Sequence, residues 1–142
     1  MILACSTGLA VTSTSPVTNF NNTIALCAVG LSGLSATTWN TIAWSNTIAT
    51  NAGMTVSYSD VELPYYGICS GTANMNREPW FMDLAEQDCR LLGISPCLAN
   101  GIGGTGMGAT FPVGSTPMWP SNLALATLIV PTNGVNLSLI HI

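Results

Sequence analysis

A glycine-rich stretch over residues 100–108 is the part of this 142-residue chain whose composition most clearly suggests chemistry. It holds five of the fourteen glycines. Glycine at this density serves backbone positions with positive φ, or positions where a partner approaches the main chain closely. At the end of a strand, the N–H groups of such a loop can hold a ligand or a developing negative charge. A flexible surface loop is the alternative interpretation of the same composition.

Two other polar turns carry groups that complement such a loop. Residues 65–72 end in Ser70, Gly71 and Thr72, and residues 132–136 end in Asn136. A serine hydroxyl can act as a nucleophile, and a side-chain amide can donate to an oxyanion. Together with the glycine loop, these residue types suit acyl transfer.

The elements between these turns predict an alternation of strands and a helix. From Pro79 to Leu92, apolar residues recur at i, i+4 and i+7, and Gly93 follows as a stop signal, so we expect a helix there. Strands are predicted over 61–66, 96–99 and 122–130, and short strands over 9–14, 23–29, 39–44 and 54–58 in the first part of the chain. This order favours βαβ units and a parallel sheet, with all three polar turns at carboxyl ends of strands.

The three turns, in this order and spacing, resemble the sequence blocks of SGNH/GDSL-type esterases. Gly101-Ile102-Gly103-Gly104-Thr105-Gly106 resembles the second block, and Asn133-Gly134-Val135-Asn136 resembles the third. Tyr65 to Thr72 falls where the first block should lie. The resemblance implies an incomplete flavodoxin-like three-layer α/β domain over residues 59–142, preceded by a β-rich accessory segment over residues 1–58.

The resemblance also implies roles for individual residues. Gly104 and Asn136 would form the oxyanion hole of a serine esterase that acts on a small ester or an acylated glycan, without a cofactor or metal. The nucleophile position aligns with Gly67, which carries no side chain, and Ser70 is the nearest hydroxyl. Further substrate contacts would come from the residues that flank the site in sequence: Gly103, Thr105 and Trp119.

The departures from the family pattern argue against activity of this chain. The Asp-x-x-His pair that activates the family's serine is absent, and the single histidine, His141, has no acidic residue near it in sequence. We therefore expect a fragment of an esterase without measurable hydrolysis. The alternative is a non-catalytic glycan-binding or virion- or cell-surface module. Trp39 and Trp44 could stack on sugars in it, although buried core aromatics are commoner.

Composition limits the partners. Only 6% of the residues are charged, the formal net charge is −4, and the two basic residues are Arg77 and Arg90. Nucleic acid is therefore not an expected partner, and no apolar run reaches the ~18 residues of a membrane span. The five cysteines lack zinc-site spacing, so we expect free thiols, or one or two disulfides if the chain is exported. A secreted or virion-associated location is favoured over the cytoplasm.

Overall fold

A computed structural model describes residues 1–12, 16–33, 35–50, 53–65 and 70–109. In this part of the chain, short strands follow one another around a central core and form stacked coils, the arrangement of a parallel β-helix. A hairpin and two 3₁₀ turns, over Pro96–Leu98 and Ile102–Gly104, follow the coils. The strands are β1 (Ile2–Leu3), β2 (Thr7–Val11), β3 (Val17–Phe20), β4 (Thr23–Ala25), β5 (Val29–Gly33), β6 (Ala36–Trp39), β7 (Ile42–Trp44), β8 (Ile48–Thr50), β9 (Met54–Ser57), β10 (Asp60–Val61), β11 (Phe81–Asp83) and β12 (Asp88–Leu91).

Three parallel sheets form the walls of the β-helix. Sheet A has the order β1-β4-β7-β10, sheet B has β2-β5-β8, and sheet C has β3-β6-β9. Isolated bridges extend sheet C from Thr55 to Ser70 and sheet A from Asp60 to Met75. Each strand therefore pairs with the strand one coil later, so that parallel pairing needs no helical crossover.

The coils shorten along the chain, as the register of sheet A shows. Residues that face each other on adjacent coils lie closer together in sequence at each successive step. These pairs are Ile2 with Ile24, Ile24 with Ala43, Ile42 with Asp60, and Asp60 with Met75. The described coils therefore contain fewer residues from the first towards the fourth.

Along the strands of sheet A, side chains alternate between the interior of the β-helix and its outer face. Ile24, Ala43 and Val61 stack inside sheet A, while Thr23, Ile42 and Asp60 point out of the same sheet. Small and β-branched residues suit these short, tightly spaced strands. The interior cluster consists of Val11, Ile24, Cys27, Leu31, Ala36, Ala43, Ala49, Met54, Val56 and Val61.

Single residues in the left-handed conformation turn the chain at two corners of each coil. Between sheets A and B these are Ala4, Leu26 and Ser45, with φ of 50°, 59° and 52°. Between sheets C and A they are Asn21, Asn40, Tyr58 and Ala73, with φ from 49° to 55°. Asparagine tolerates this conformation, whereas leucine and alanine do not favour it. The ladder of neighbouring coils must therefore impose the bend at Leu26 and Ala4.

A cover segment, which we define as residues 76–109, packs on the outer face of sheet A. It contains the antiparallel hairpin β11–β12 and both 3₁₀ turns. Ile42 of sheet A is buried against Cys97 and Met107 of the cover segment. At its far end, the Gly108 N–H donates to the Asn40 carbonyl and the Ala109 N–H donates to Thr23 Oγ1. The outer residues of sheet A thus form a second core.

The α/β prediction is wrong, and with it the incomplete flavodoxin-like three-layer sheet. The expected helix from Pro79 to Leu92 is the β11–β12 hairpin. Its apolar residues also fit a strand alternation, since Phe81 pairs with Leu91 and Cys89 points inward. Trp80 and Gln87 have positive φ, which a helix does not allow. The Asp83 carboxylate accepts the Glu86 N–H and stabilises the turn.

Other predicted elements also differ. Residues 96–99 contain a 3₁₀ turn instead of a strand, and the strand predicted over 122–130 lies outside the described residues. Both sides of the predicted boundary at residues 58/59 belong to one stack, because β9 and β10 each pair with the coil before. In the described part of the chain, no helix has the length and hydropathy needed to cross a membrane.

An internal sequence repeat indicates stacked coils, and the prediction of an α/β fold does not take it into account. The tetrapeptide Asn-Thr-Ile-Ala occurs at 22–25, at 40–43 and again at 46–49. The first two copies lie on neighbouring strands of sheet A, but the ladder sets Thr23 beside Ile42 and Ile24 beside Ala43. This shift of one position between the copies reverses the faces, so that Ile24 points into the β-helix and Ile42 points out.

Candidate binding surface

The glycine loop forms a compact turn in which most of the backbone N–H groups already donate a hydrogen bond within the chain. The Gly104 N–H donates to the Gly101 carbonyl at 3.0 Å, and the Thr105 N–H donates to the Ile102 carbonyl at 3.3 Å. The Gly101 N–H donates back to the Thr105 carbonyl at 2.8 Å. The N–H of Gly104, the predicted oxyanion donor, is therefore engaged inside the turn.

Asn40 fixes this loop to the β-helix. Its side-chain carbonyl accepts the Ile102 N–H at 2.8 Å, and its amide donates to Thr105 Oγ1 at 3.3 Å. Asn40 is itself a left-handed corner residue and is almost completely buried. The position of the loop is thus set by a coil corner that lies far earlier in the chain.

Close packing explains two of the loop's glycines. A Cβ at Gly101 would lie 2.7 Å from the Thr105 carbonyl oxygen and 2.9 Å from Asn40 Oδ1. A Cβ at Gly108 would lie 2.6 Å from Thr23 Oγ1, and Gly108 has φ of +81°. Glycine is required here because the loop lies directly on sheet A and on itself. That requirement is structural and needs no ligand.

A cleft of about 430 Å³ lies between the loop and the corner that joins sheets C and A. The polar side chains that line the cleft differ in how many of their hydrogen-bonding groups are already bonded within the chain. Both ends of the Asn74 amide already bond to the coils, to the Val56 carbonyl and the Ser59 N–H. Arg77 is exposed, and its guanidinium makes no ion pair with a described residue. The lining residues are Tyr58, Ala73, Asn74, Met75, Arg77, Ala99, Asn100, Gly101, Gly103 and Gly104.

An aromatic stack, formed by Phe20, Trp39 and Tyr58, leads along the outside of the β-helix to this cleft. Phe20 and Trp39 are register partners on adjacent coils, with ring centroids 5.9 Å apart and an interplanar angle of 55°. Trp39 and Tyr58 stack at 5.8 Å and 28°. Phe20 is 55% exposed, and the other two are half-buried. Because Tyr58 also lines the cleft, the stack and the cleft form one continuous surface.

The predicted site residues are only partly brought together. Gly103 and Gly104 line the cleft, whereas Thr105 bonds to Asn40 and is outside the lining. Ser70 extends sheet C, its hydroxyl donates to the Met54 carbonyl at 2.9 Å, and it does not line the cleft. Three of the predicted residues lie outside the described part of the chain: Gly67, Trp119 and Asn136.

The two tryptophans within residues 1–58 have different environments. Trp39 is half-buried and lies between Phe20 and Tyr58 in the aromatic stack. Trp44 instead packs against the second core with Ile42 under the cover segment. Only Trp39 therefore contributes to the continuous surface.

Asp60 is a buried carboxylate that the sequence did not reveal. In the sequence, Asp60 and Glu62 lie two residues apart on a predicted strand, which favours a solvated edge, yet Asp60 is 0% exposed beneath the cover segment. Its carboxylate accepts the Arg77 N–H at 3.0 Å and the Cys97 thiol at 3.1 Å. Burial raises its pKa to about 6, because the ionised form loses its hydration. Glu62 lies apart and accepts the Ser45 N–H.

The cysteines and carboxylates do not form a metal centre among the described residues, where no group of three or more potential ligands occurs. Cys5, Cys27, Cys89 and Cys97 are free thiols. Burial raises the pKa of the Cys89 thiol to about 12 and also raises the pKa of Cys97, which faces Asp60. Because the thiolate is the form that binds metal ions, these raised pKa values disfavour metal binding by Cys89 and Cys97.

Comparison with known proteins assigns this chain to no family. No protein-family model, no curated protein and no solved structure matches it. The aromatic stack and the adjoining cleft are therefore the features from which function has to be argued.

Proposed function

We propose that this chain is a non-catalytic module that binds uncharged glycans on the surface formed by the aromatic stack and the adjoining cleft. The observation that carries the proposal is the continuity of three aromatic side chains on successive coils with a polar, glycine-lined cleft. A glycan chain has the same extended, repeating character. It would lie along the coil-to-coil direction.

The chemistry of the stack supports a sugar ligand. The faces of aromatic rings carry partial negative charge, and the C–H face of a pyranose ring is apolar with slightly positive hydrogens. Phe20, which is 55% exposed, offers ring surface to solvent, and Trp39 and Tyr58 continue the stack behind it. Tyr58 adds a hydroxyl at the entrance of the cleft, where the ligand's own hydroxyls need hydrogen-bond partners.

The charge of the chain supports a neutral ligand. The chain is rich in serine, threonine and asparagine, with 6% charged residues and a net charge of −4. A polyanion would be repelled overall, and a hydroxyl-rich neutral polymer would not. Inside the cleft, the Arg77 guanidinium supplies hydrogen-bond donors that suit sugar oxygens.

The test is a titration of the chain with a panel of neutral oligosaccharides, followed by calorimetry on the best ligand. Phe20→Ala removes the most exposed ring of the stack, and we expect a loss of affinity of roughly 3- to 10-fold. Trp80→Ala is the matched control, because Trp80 is an exposed aromatic (47%) on the hairpin, away from the stack. No binding across the panel, or an equal loss in both variants, would overturn the proposal.

Ester hydrolysis remains a prediction from the sequence resemblance. The position that aligns with the family's nucleophile, Gly67, and one oxyanion residue, Asn136, lie outside the described residues, and so does His141. An assay on p-nitrophenyl acetate with Ser70→Ala as control addresses it directly. Turnover that is lost in Ser70→Ala would favour the esterase over the binding module.

A further inference from the structure

Two thiols meet where the first and second coils turn from sheet A into sheet B. Cys5 Sγ and Cys27 Sγ are 2.8 Å apart. A disulfide bond is about 2.05 Å long, so the two sulfur atoms need to approach by less than about 1 Å to bond. Among the described residues, the other two cysteines, Cys89 and Cys97, lie in the cover segment.

The backbone places the two residues in equivalent positions of adjacent coils. The Ala28 N–H donates to the Cys5 carbonyl and the Val29 N–H donates to the Ser6 carbonyl, which continues the β2–β5 ladder back into the corner. Neighbouring strands lie about 4.8 Å apart. This separation is within the Cα distances of about 4.4–6.8 Å that disulfides accept, so bond formation needs no rearrangement of the coils.

The surroundings give the two thiols different accessibility. Cys27 is buried, its N–H donates to Asn46 Oδ1 at 2.9 Å, and its thiol lies 3.3 Å from the Ala25 carbonyl. Cys5 is only partly buried. An external oxidant therefore reaches Cys5 first, and Cys27 is positioned to complete the exchange.

We propose that Cys5 and Cys27 form a disulfide that joins the first coil to the second. With a small-molecule disulfide such as glutathione disulfide, the Cys5 thiolate attacks one sulfur and releases one glutathione thiol. Cys27 then attacks the Cys5 sulfur of the mixed disulfide and releases the second. The two protein thiols are oxidised by two electrons, glutathione disulfide is reduced, and both thiol protons end on the two glutathione molecules.

The link would stabilise the contact between the first and second described coils. The first coil pairs with other described strands on one side only, through β1–β4, β2–β5 and β3–β6. A disulfide that closes a loop of about twenty residues reduces the freedom of the unfolded chain. Burial raises the pKa of Cys5 to about 12, with the neighbouring Cys27 as a further cause. The bond therefore forms faster as pH rises, because the thiolate is the attacking species.

The test begins with the wild-type chain, incubated with glutathione disulfide, denatured and alkylated with iodoacetamide. Five cysteines give five adducts when reduced, and we expect three after oxidation. Trypsin cannot assign the pair, because Arg77 is the first basic residue and residues 1–77 stay together. Chymotrypsin cuts after Phe20 and separates Cys5 from Cys27, so a linked peptide pair identifies the bond by mass.

Two cysteine variants show whether the loss of thiols on oxidation depends on Cys5. Oxidised Cys5→Ala should keep all four remaining thiols, whereas oxidised Cys97→Ala, the control, should still lose two. We expect oxidation to raise the wild-type melting temperature by roughly 5–15 °C and to leave Cys5→Ala unchanged. Five adducts after oxidation, or a linked peptide that contains Cys69 instead, would overturn the proposal even if a variant fails to fold.

Discussion

The side-chain carbonyl of Asn40 accepts the main-chain N–H of Ile102 at 2.8 Å. This bond joins a corner of the second coil to the glycine loop of the cover segment. It couples the cleft-forming loop to the β-helix, because the loop's remaining hydrogen bonds are mostly internal. The shape of the cleft therefore depends on a residue that does not line it.

Replacing Asn40 by alanine should loosen the glycine loop and lower the stability of the fold. We expect Asn40→Ala to lower the free energy of unfolding by about 1–3 kcal/mol more than Asn21→Ala, since the Ile102 N–H loses its acceptor. Asn21 is the matched control, because it has the same left-handed φ of 53° one coil earlier and is exposed. Urea denaturation of both variants measures the difference, and equal losses would contradict the docking role of Asn40.

A methyl group at Gly108 should separate the cover segment from sheet A. Gly108→Ala places a Cβ 2.7 Å from Ile42 Cδ1 in a backbone with φ of +81°, and we expect a loss of more than about 2 kcal/mol. Gly93→Ala is the control, because nothing lies within 4 Å of its Cβ position and Gly93 is exposed. It should change stability by less than about 1 kcal/mol in either direction. Thermal melts compare the two, and a tolerated Gly108→Ala would refute this packing.

Stability should fall as pH rises from about 4 to about 6, because of Asp60. The pKa of Asp60 is raised from 3.8 to about 6 in the folded chain, mainly by burial, so the folded state holds a proton that the unfolded state has released. The Arg77 N–H, the Cys97 thiol and the nearby Glu78 also act on this carboxyl. The shift corresponds to a loss on the order of 2–3 kcal/mol above pH 6. The carboxyl is protonated, and this loss is absent, below about pH 4.

Unfolding measured between pH 4 and pH 7 tests the pH dependence. Asp60→Asn should flatten the profile over that range, since the amide does not titrate and still accepts a hydrogen bond. The exposed Glu86→Gln serves as the control and should retain the wild-type slope. A wild-type slope that persists in Asp60→Asn would mean that another group is responsible.

Glycine at position 87 should stabilise the chain. Gln87 has φ of 62° in the hairpin turn, so Gln87→Gly relieves a left-handed strain of about 1 kcal/mol. In a helix, the same change would cost about 1 kcal/mol, which gives the opposite sign. Ala85→Gly, in the same turn without a positive φ, should be destabilising. Chemical denaturation gives the signs, and a destabilised Gln87→Gly would favour the helix over the hairpin.

The strands within residues 1–58 could be predicted from the sequence, but the way they connect could not. The strand expected over residues 54–58 agrees with β9. The one expected over residues 23–29 instead spans β4, a corner and β5. Leu26 turns the chain at that corner, and leucine carries no turn signal of its own. Hydrogen bonds to the coils above and below force the bend, and those coils are a full turn of the β-helix away in sequence.

The candidate binding surface could not be predicted from the sequence for the same reason. Phe20, Trp39 and Tyr58 form a stack only when the register between coils is known, because a whole coil of sequence separates each ring from the next. The sequence indicates a solvated Asp60 because the segment that covers it follows later in sequence and is predicted to be a helix instead of a hairpin and turns that pack on sheet A. Local patterns identified Trp39 and the glycine residues, but not Phe20 or Tyr58. These residues become neighbours only because each coil sets residues that are one coil apart in sequence next to each other.

The unequal length of the coils has a consequence for self-association. Because the sequence step between facing residues of sheet A decreases from coil to coil, no two neighbouring coils of the described part have the same length. Unpaired strand edges are templates for pairing between chains. A copy that exchanged one coil for a neighbouring coil of another copy would set segments of different length against each other, so the unequal coils disfavour such shifted pairing between chains.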